Sequence, residues 1–175
     1  LAQYEMHFSH LINYEEWDVD FLIDFIVHVH HRYFVVALPD IISLTGGFLN
    51  KHVSKYPGLT NLKQNVSDLS GTMLQGIHRK QEILFPYIKQ ITHAHAGKEP
   101  YARLLARTLK KPLEELMRTE TQQVSELLSQ LRITTNSYTP PENACISHRI
   151  TFAKLRELDI NLQHYRRLEY EILFP

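Results

Sequence analysis

The sequence is poor in the features that mark several common classes of protein. It contains a single cysteine, Cys145, which excludes an internal disulfide framework and fits a reducing compartment. Its 19 basic residues are balanced by 19 acidic ones, so no net charge attracts nucleic acid or an anionic membrane. No apolar run predicts a membrane span, and no basic-then-apolar leader opens the chain. We therefore expect a cytoplasmic protein that binds neither nucleic acid nor membrane.

Enzyme signatures are missing as well. The 175 residues contain no serine or cysteine nucleophile constellation, phosphate-binding loop or dinucleotide fingerprint. An enzyme in the ordinary sense is therefore not indicated. Histidine is unusually frequent, with 11 in the chain, whereas average usage gives about four in this length.

Turn-forming residues divide the chain into a few long segments. The breaks fall at 46–58, 95–100 and 134–141. Between them, apolar residues recur every three or four positions and do not alternate, which is typical of amphipathic helices. These lengths favour one all-α domain, 1–175, built as an up-down four-helix bundle with a short extra N-terminal segment.

The pentapeptide Glu-Ile-Leu-Phe-Pro occurs twice, at 82–86 and at 171–175. Because proline disrupts a helix interior, the two copies are predicted to close the second and the fourth helix. The tetrapeptide Thr-Pro-Pro-Glu at 139–142 has the form of a capping box, which predicts that the fourth helix begins there.

Polar side chains interrupt the apolar faces of the predicted helices. His31 lies on the first helix, Lys80 on the second, Glu120 on the third, and Tyr165 and Glu169 on the fourth. A buried unpaired charge is costly, so these groups must pair, bind a metal or change protonation, unless Lys80 and Glu169 lie at exposed helix ends. Histidine and glutamate on facing helices are suitable ligands for iron, manganese or zinc.

The sequence resembles the haemerythrin-like domain of the iron–sulfur cluster repair proteins, the repair of iron centres family. The resemblance is carried by residues 20–39, by His52 with Pro57, by the two Ile-Leu-Phe-Pro ends and by the block 135–145. It implies a bundle with a di-iron centre held by histidines and two bridging carboxylates. It also implies a role in repairing iron–sulfur clusters after nitrosative or oxidative damage.

Part of the ligand set implied by this resemblance is present. His31 and His52 match histidine positions, and Glu169, three residues before the second Ile-Leu-Phe-Pro, matches one bridging carboxylate. The histidine of the third helix falls at Glu120 or Thr121, depending on which flanking motif sets the alignment.

The remaining positions depart from the family. Each Ile-Leu-Phe-Pro end normally follows a His-x-x-x-Glu pair, but here the pairs read Gly76 with Lys80 and Tyr165 with Glu169. Two irons need on the order of ten coordination bonds, more than the surviving ligands can supply. An ammonium at a bridging position also repels a divalent ion.

Three functions follow as alternatives. The preferred hypothesis is a metal-poor binding or regulatory module without a cofactor, in which a Lys80–Glu169 ion pair replaces the di-iron centre. Glu120, Tyr165, His31 and His52 are expected nearby. The second is a mononuclear iron or zinc protein that uses the four candidate ligands His31, His52, Glu120 and Glu169. The third is a working cluster-repair protein with iron, mononuclear or di-iron, whose missing ligands come from a partner chain or lie at positions that this register misassigns.

Two expectations concern surfaces and the cysteine. The first predicted helix is apolar over a broad arc that includes Phe21, Val35 and Val36, so we expect a homodimer or an unidentified protein partner. Cys145 lies in the first turns of the predicted fourth helix, where a small packed core thiol is the expected role.

Overall fold

The computed structural model describes residues 12–173, which form four long helices. Helix α1 is continuous over Val19–His52, and helix α3 is Ala102–Thr134. Helix α2 consists of Leu62–Arg79, a π-helical segment Lys80–Leu84 and Phe85–Ala96. Helix α4 consists of Ile146–Arg167 and a π-helical segment Leu168–Leu173. A third π-helical segment, Ile26–His31, interrupts α1, and single 3-10 turns lie at Tyr14–Glu16 and Pro57–Leu59.

The helices form the predicted up-down four-helix bundle, and no strand occurs within 12–173. An ion pair of 2.8 Å between Lys89 and Asp24 joins the end of α2 to the start of α1. At the opposite end, Cys145 just before α4 contacts His52 at the end of α1. Sequential helices therefore run in opposite directions, with α1 beside both α2 and α4. The predicted all-α fold is confirmed.

One continuous hydrophobic core lies between the four helices. Its fully covered members come from every helix and include Ile26, Phe34, Leu38, Leu62, Val66, Leu69, Val124, Leu128, Leu155, Leu158 and Leu162. Full burial of such a side chain stabilises the fold by about 1.5–3 kcal/mol relative to exposure. Tyr14, in the segment that precedes α1, also packs against this core.

Two predicted helix ends are wrong. Helix α1 runs through Gly46 and Gly47 to His52, because Phe48 and Leu49 pack into the core beyond them. This packing outweighs the helix propensity of the glycines, which is about 1 kcal/mol poorer for each.

Helix α2 likewise continues past Pro86 to Ala96. Pro86 has no N–H to donate to the helix. The turn just before it is a wide π turn, in which the Phe85 N–H donates to the carbonyl of Lys80, five residues back, and this turn accommodates the proline. In the second copy, Phe174 and Pro175 lie outside the described residues.

The π-helical segment of α2 also changes which side chains face the core. Ile83, which the three- and four-residue spacing places inward, is 54% exposed, whereas Leu84 is buried. A π turn inserts one extra residue, which rotates everything that follows by about 100° relative to a regular helix.

The predicted capping box at 139–142 does not begin α4. Helix α4 starts after Cys145, and residues 136–138 take left-handed backbone angles, with φ between 49° and 60°. The Tyr138 hydroxyl donates to Asp159 at 2.9 Å, and Arg132 binds the same carboxylate at 2.6 and 2.7 Å. These tertiary contacts hold the connection in a tight turn and delay the start of the helix.

Helix α1 is long and apolar enough to cross a membrane by length and composition alone, with a mean hydropathy of 1.4 in its most apolar window. This corrects the expectation that no segment of the chain meets that criterion. The finding is weak evidence for a membrane, because the core helix of a soluble protein passes the same test. Phe34 and Leu38 of α1 are completely buried in the bundle.

Candidate functional site: a buried lysine–carboxylate cluster

The polar residues that interrupt the apolar faces meet in one buried cluster. His31 is the last residue of the π-helical segment in α1, Lys80 is the first in α2, and Glu169 is the second in α4. Each of these three helices therefore departs from regular α geometry at the level of the cluster. Such π-helical segments are rare and are frequently found at functional sites.

Lys80 is the centre of the cluster and is only 3% exposed. Its ammonium nitrogen lies 2.6 Å from Glu120 Oε1, 2.8 Å from Glu169 Oε2 and 3.0 Å from the Tyr165 hydroxyl. A lysine ammonium has three N–H donors, so all three are used inside the protein. The predicted contact between Lys80 and Glu169 is present in this geometry.

The Tyr165 hydroxyl connects this charged group to His31. It donates its single proton to Glu169 Oε1 at 2.6 Å and accepts from Lys80, so its 3.1 Å contact with His31 Nε2 requires the imidazole to donate. The Gln81 side-chain amide lies 3.1 Å from His31 Nδ1 and donates to it in the same arrangement. Both imidazole nitrogens of His31 are thus engaged.

Burial and the neighbouring charges shift the pKa values of the residues in the cluster. Burial alone would lower the pKa of Lys80, but the adjacent Glu169 and Glu120 carboxylates outweigh it, and the pKa lies above its ordinary value. Burial raises the pKa of Glu169 and the lysine opposes this rise. Burial, followed by the positive charge of Lys80, lowers the pKa of His31 to about 3, so this imidazole is neutral at physiological pH.

Gly76 is the residue that admits the Glu120 carboxylate. A Cβ built on Gly76 would lie 2.5 Å from Glu120 Oε1 and 2.7 Å from its carboxyl carbon. Carbon atoms do not approach so closely, so Glu120 can reach Lys80 only because position 76 has no side chain. A histidine at position 76 and this Glu120 conformation exclude each other.

Comparison with curated proteins gives relatives over most of the chain. The probable iron–sulfur cluster repair protein of Haemophilus influenzae is 25% identical over 154 residues, which is 88% of this chain and 63% of that protein. Iron–sulfur cluster repair protein YtfE is 27% identical over 154 residues in Escherichia coli O81 and 28% identical over 165 residues in Cronobacter sakazakii, covering 64% and 68% of those proteins. The chain is therefore similar over most of its length to proteins named for iron–sulfur cluster repair. No family model matches it.

The relatives are longer than this chain. It spans less than two thirds of the length of the Haemophilus and Escherichia proteins. What those whole proteins do is therefore carried to this chain only as a proposal.

The cluster does not fit the di-iron centre that the cluster-repair resemblance implies. Both nitrogens of His31 are engaged, and one ammonium lies between the carboxylates that would have to bridge two metals. Tyr165, at a position where the resemblance implies a histidine, also accepts a hydrogen bond from the ammonium. Within 12–173, no group of three His, Cys, Asp or Glu side chains is arranged to hold a metal ion.

The prediction that His52 belongs to this site is wrong. His52 lies 21 residues beyond His31 in the same continuous helix, which is a rise of about 30 Å. Its ring nitrogens contact the Phe48 carbonyl and the Cys145 thiol instead. On α3, Glu120 and not Thr121 supplies the group that reaches Lys80.

Two neighbours of the cluster were missed by the sequence analysis. Gln81 binds His31, and His30 is 5% exposed beside Tyr165, with its pKa lowered to about 4 by burial and then by His164. Each adjoins a residue already assigned to the apolar face. A regular helix turns adjacent residues apart by about 100°, so only the π-helical geometry brings both members of each pair inward.

Proposed function

We propose that this chain is a metal-poor haemerythrin-like module, related to the iron–sulfur cluster repair proteins, that acts by binding or regulation and not through a di-iron centre. The observation that carries the proposal is the complete use of the three Lys80 donors by Glu120, Tyr165 and Glu169. A metal at this position would have to displace an ammonium that both carboxylates already bind.

The cluster also connects the four helices, as a metal centre in the core of a bundle would. Lys80 and Gln81 come from α2, His31 from α1 and Glu120 from α3, while α4 contributes Tyr165 and Glu169. Their hydrogen bonds therefore join all four helices across the core. A fully satisfied buried network of this kind rigidifies a bundle, so we expect the protein to fold without metal.

Metal analysis tests the proposal directly. Protein purified without chelators and then reconstituted anaerobically with ferrous iron should carry far less than one iron per chain. It should also lack the near-ultraviolet absorption of an oxo-bridged di-iron centre. Stoichiometric iron with that absorption would overturn the proposal.

A matched variant makes the test sharper. The quadruple substitution Gly76→His, Lys80→Glu, Glu120→His and Tyr165→His restores a His-x-x-x-Glu pair on α2 and α4 and adds a histidine on α3. It should gain iron in the same reconstitution. A restored variant that loads iron beside an empty wild type shows that the protocol works and that the Lys80 cluster is the cause.

A surface pocket beside the cluster supports a binding role. It has a volume of about 540 Å³ and lies between α3 and the end of α4, lined by Leu113, Met117, Thr121 and Tyr170 with three charged residues around them. Thr121 and Tyr170 also line the small cavity next to Glu120 and Glu169. An apolar fluorescent probe should bind here, and Leu113→Glu should reduce its binding more than Leu104→Glu, at an exposed position of α3 outside the pocket.

The names of the relatives favour a second candidate function, iron–sulfur cluster repair. It is tested by incubating the protein with an iron–sulfur enzyme whose cluster has been damaged by nitric oxide. Under our proposal, recovery of that enzyme equals a blank without the protein. Recovery that scales with the amount of iron-loaded protein would favour cluster repair instead.

A further inference from the structure

A second pair of reactive groups lies at the opposite end of the bundle from the Lys80 cluster. Cys145 Sγ is 3.1 Å from His52 Nε2, and His52 Nδ1 is 2.9 Å from the carbonyl oxygen of Phe48. Because a carbonyl only accepts, Nδ1 carries the proton and Nε2 presents its lone pair to the thiol. A nucleophile, a base and a third group that orients the base are thereby in contact, which is the arrangement of an activated thiol.

The location of Cys145 favours reaction at its sulfur. The residue is exposed, so the expectation of a packed core thiol is wrong. It is also the N-cap residue of Ile146–Arg167, a helix of 22 residues whose dipole stabilises negative charge at this end.

His148 places a second buried imidazole next to the Cys145–His52 pair. It lies one turn beyond Cys145 on α4, is 1% exposed, and neither ring nitrogen has a hydrogen-bond partner among residues 12–173. Its ring and the His52 ring each lie 4.8 Å from the ring of Phe48. Burial, and then the neighbouring His52, lowers the pKa of His148. Tyr56 and Phe152 also pack against its ring, but an imidazole buried without a hydrogen-bond partner is costly.

We propose that Cys145 and His52 form a thiol modification site that reacts with hydroperoxides. His52 Nε2 takes the thiol proton, and the Sγ thiolate attacks one peroxide oxygen. The S–O bond forms as the O–O bond breaks, so sulfur is oxidised by two electrons to a sulfenic acid and the peroxide is reduced. The departing hydroxide or alkoxide takes the proton back from His52 and leaves as water or alcohol.

A metal is not the occupant that the geometry favours. Within the described residues, Cys145, His52 and His148 do not form a three-ligand group around a common point. Since Cys145 is the single cysteine of the chain, its sulfenic acid has no second thiol within this sequence with which to form a disulfide. The oxidised form should persist until a thiol from another molecule reduces it.

The test measures the rate at which Cys145 is oxidised by hydrogen peroxide in the full chain. The product is trapped with a sulfenic-acid reagent and quantified by mass spectrometry, with Cys145→Ser as the blank. At neutral pH, native wild type should react about tenfold or more faster than His52→Gln, because the substitution removes the base. His78→Gln, at an exposed histidine of α2, is the control and should react like wild type.

Two further measurements exclude a structural explanation. The difference between wild type and His52→Gln should close at strongly alkaline pH, where an ordinary thiol with a pKa of about 8.5 ionises unaided. Native wild type should also react faster at neutral pH than the same protein unfolded in urea, which needs no variant. Equal rates of wild type and His52→Gln at neutral pH, a difference that persists in alkali, or faster reaction of the unfolded chain would each overturn the proposal. So would stoichiometric zinc binding that blocks the thiol.

Discussion

Removing the Lys80 ammonium should destabilise the bundle strongly at neutral pH, and the loss relative to wild type should be smaller in mild acid. Lys80→Met keeps the aliphatic stem but leaves Glu169, which is completely buried, and Glu120 without their cation. Breaking a buried ion pair by removing one partner costs about 3–5 kcal/mol, because the remaining charge is uncompensated. A loss of that size is a large share of the stability of a typical domain.

The pH dependence identifies the mechanism. Protonation of the orphaned carboxylates removes the buried charge, and each unit by which their pKa rises is worth about 1.4 kcal/mol. The difference between wild type and Lys80→Met in free energy of unfolding should therefore shrink as the pH falls from about 7 to 5. Adding Glu120→Gln and Glu169→Gln to Lys80→Met should recover part of the loss at neutral pH.

Urea unfolding followed by far-ultraviolet circular dichroism measures these differences. Lys154→Met is the matched control, since its pair with Glu157 is 2.8 Å long but 51% and 34% exposed, and exposed pairs contribute about 0–1 kcal/mol. A loss for Lys80→Met no larger than for Lys154→Met, or a loss independent of pH, would refute the account of the cluster as a charge network.

Three further predictions use the same unfolding assay or a simple one. Gly76→Ala should cost about 1–3 kcal/mol because the new Cβ displaces Glu120 from Lys80. Gly71→Ala, where a Cβ meets no atom within 4 Å, should instead stabilise the protein by about 0.5–1 kcal/mol. Equal effects of the two substitutions would contradict the role of Gly76. The pKa of His30 is lowered to about 4 and that of His31 to about 3. The stability linked to these two shifts is present above the unfolded pKa of about 6.5 and is lost as the pH falls, by about 2 kcal/mol for each histidine down to pH 5. The raised pKa of Glu169 partly opposes this loss. His31→Gln should flatten this slope and His78→Gln should not. If the exposed apolar face of α1 forms a homodimer, Val36→Lys, at a position 62% exposed, should convert it to a monomer in light scattering, and a wild type that is already monomeric would remove that expectation.

Much of the fold was determined by the sequence alone. The three- and four-residue spacing of apolar side chains is a local property, and it predicts four amphipathic helices whatever their neighbours are. The same spacing places His31, Lys80, Glu120, Tyr165 and Glu169 on inward faces, where the structure has them. Pairing of Lys80 with Glu169 follows because buried opposite charges that face each other have no better partner.

Only the tertiary structure decided the details that give the cluster its chemistry. The three π-helical segments leave no mark in a regular period, so the inward positions of Gln81 and His30 and the outward turn of Ile83 were not predictable. The continuity of α1 through two glycines depends on core packing beyond them, and it separates His52 from His31 by most of the bundle. That separation brings His52 to Cys145. Sequence spacing is blind to such encounters, because it describes one helix at a time, whereas contacts between helices depend on where each one bends and ends.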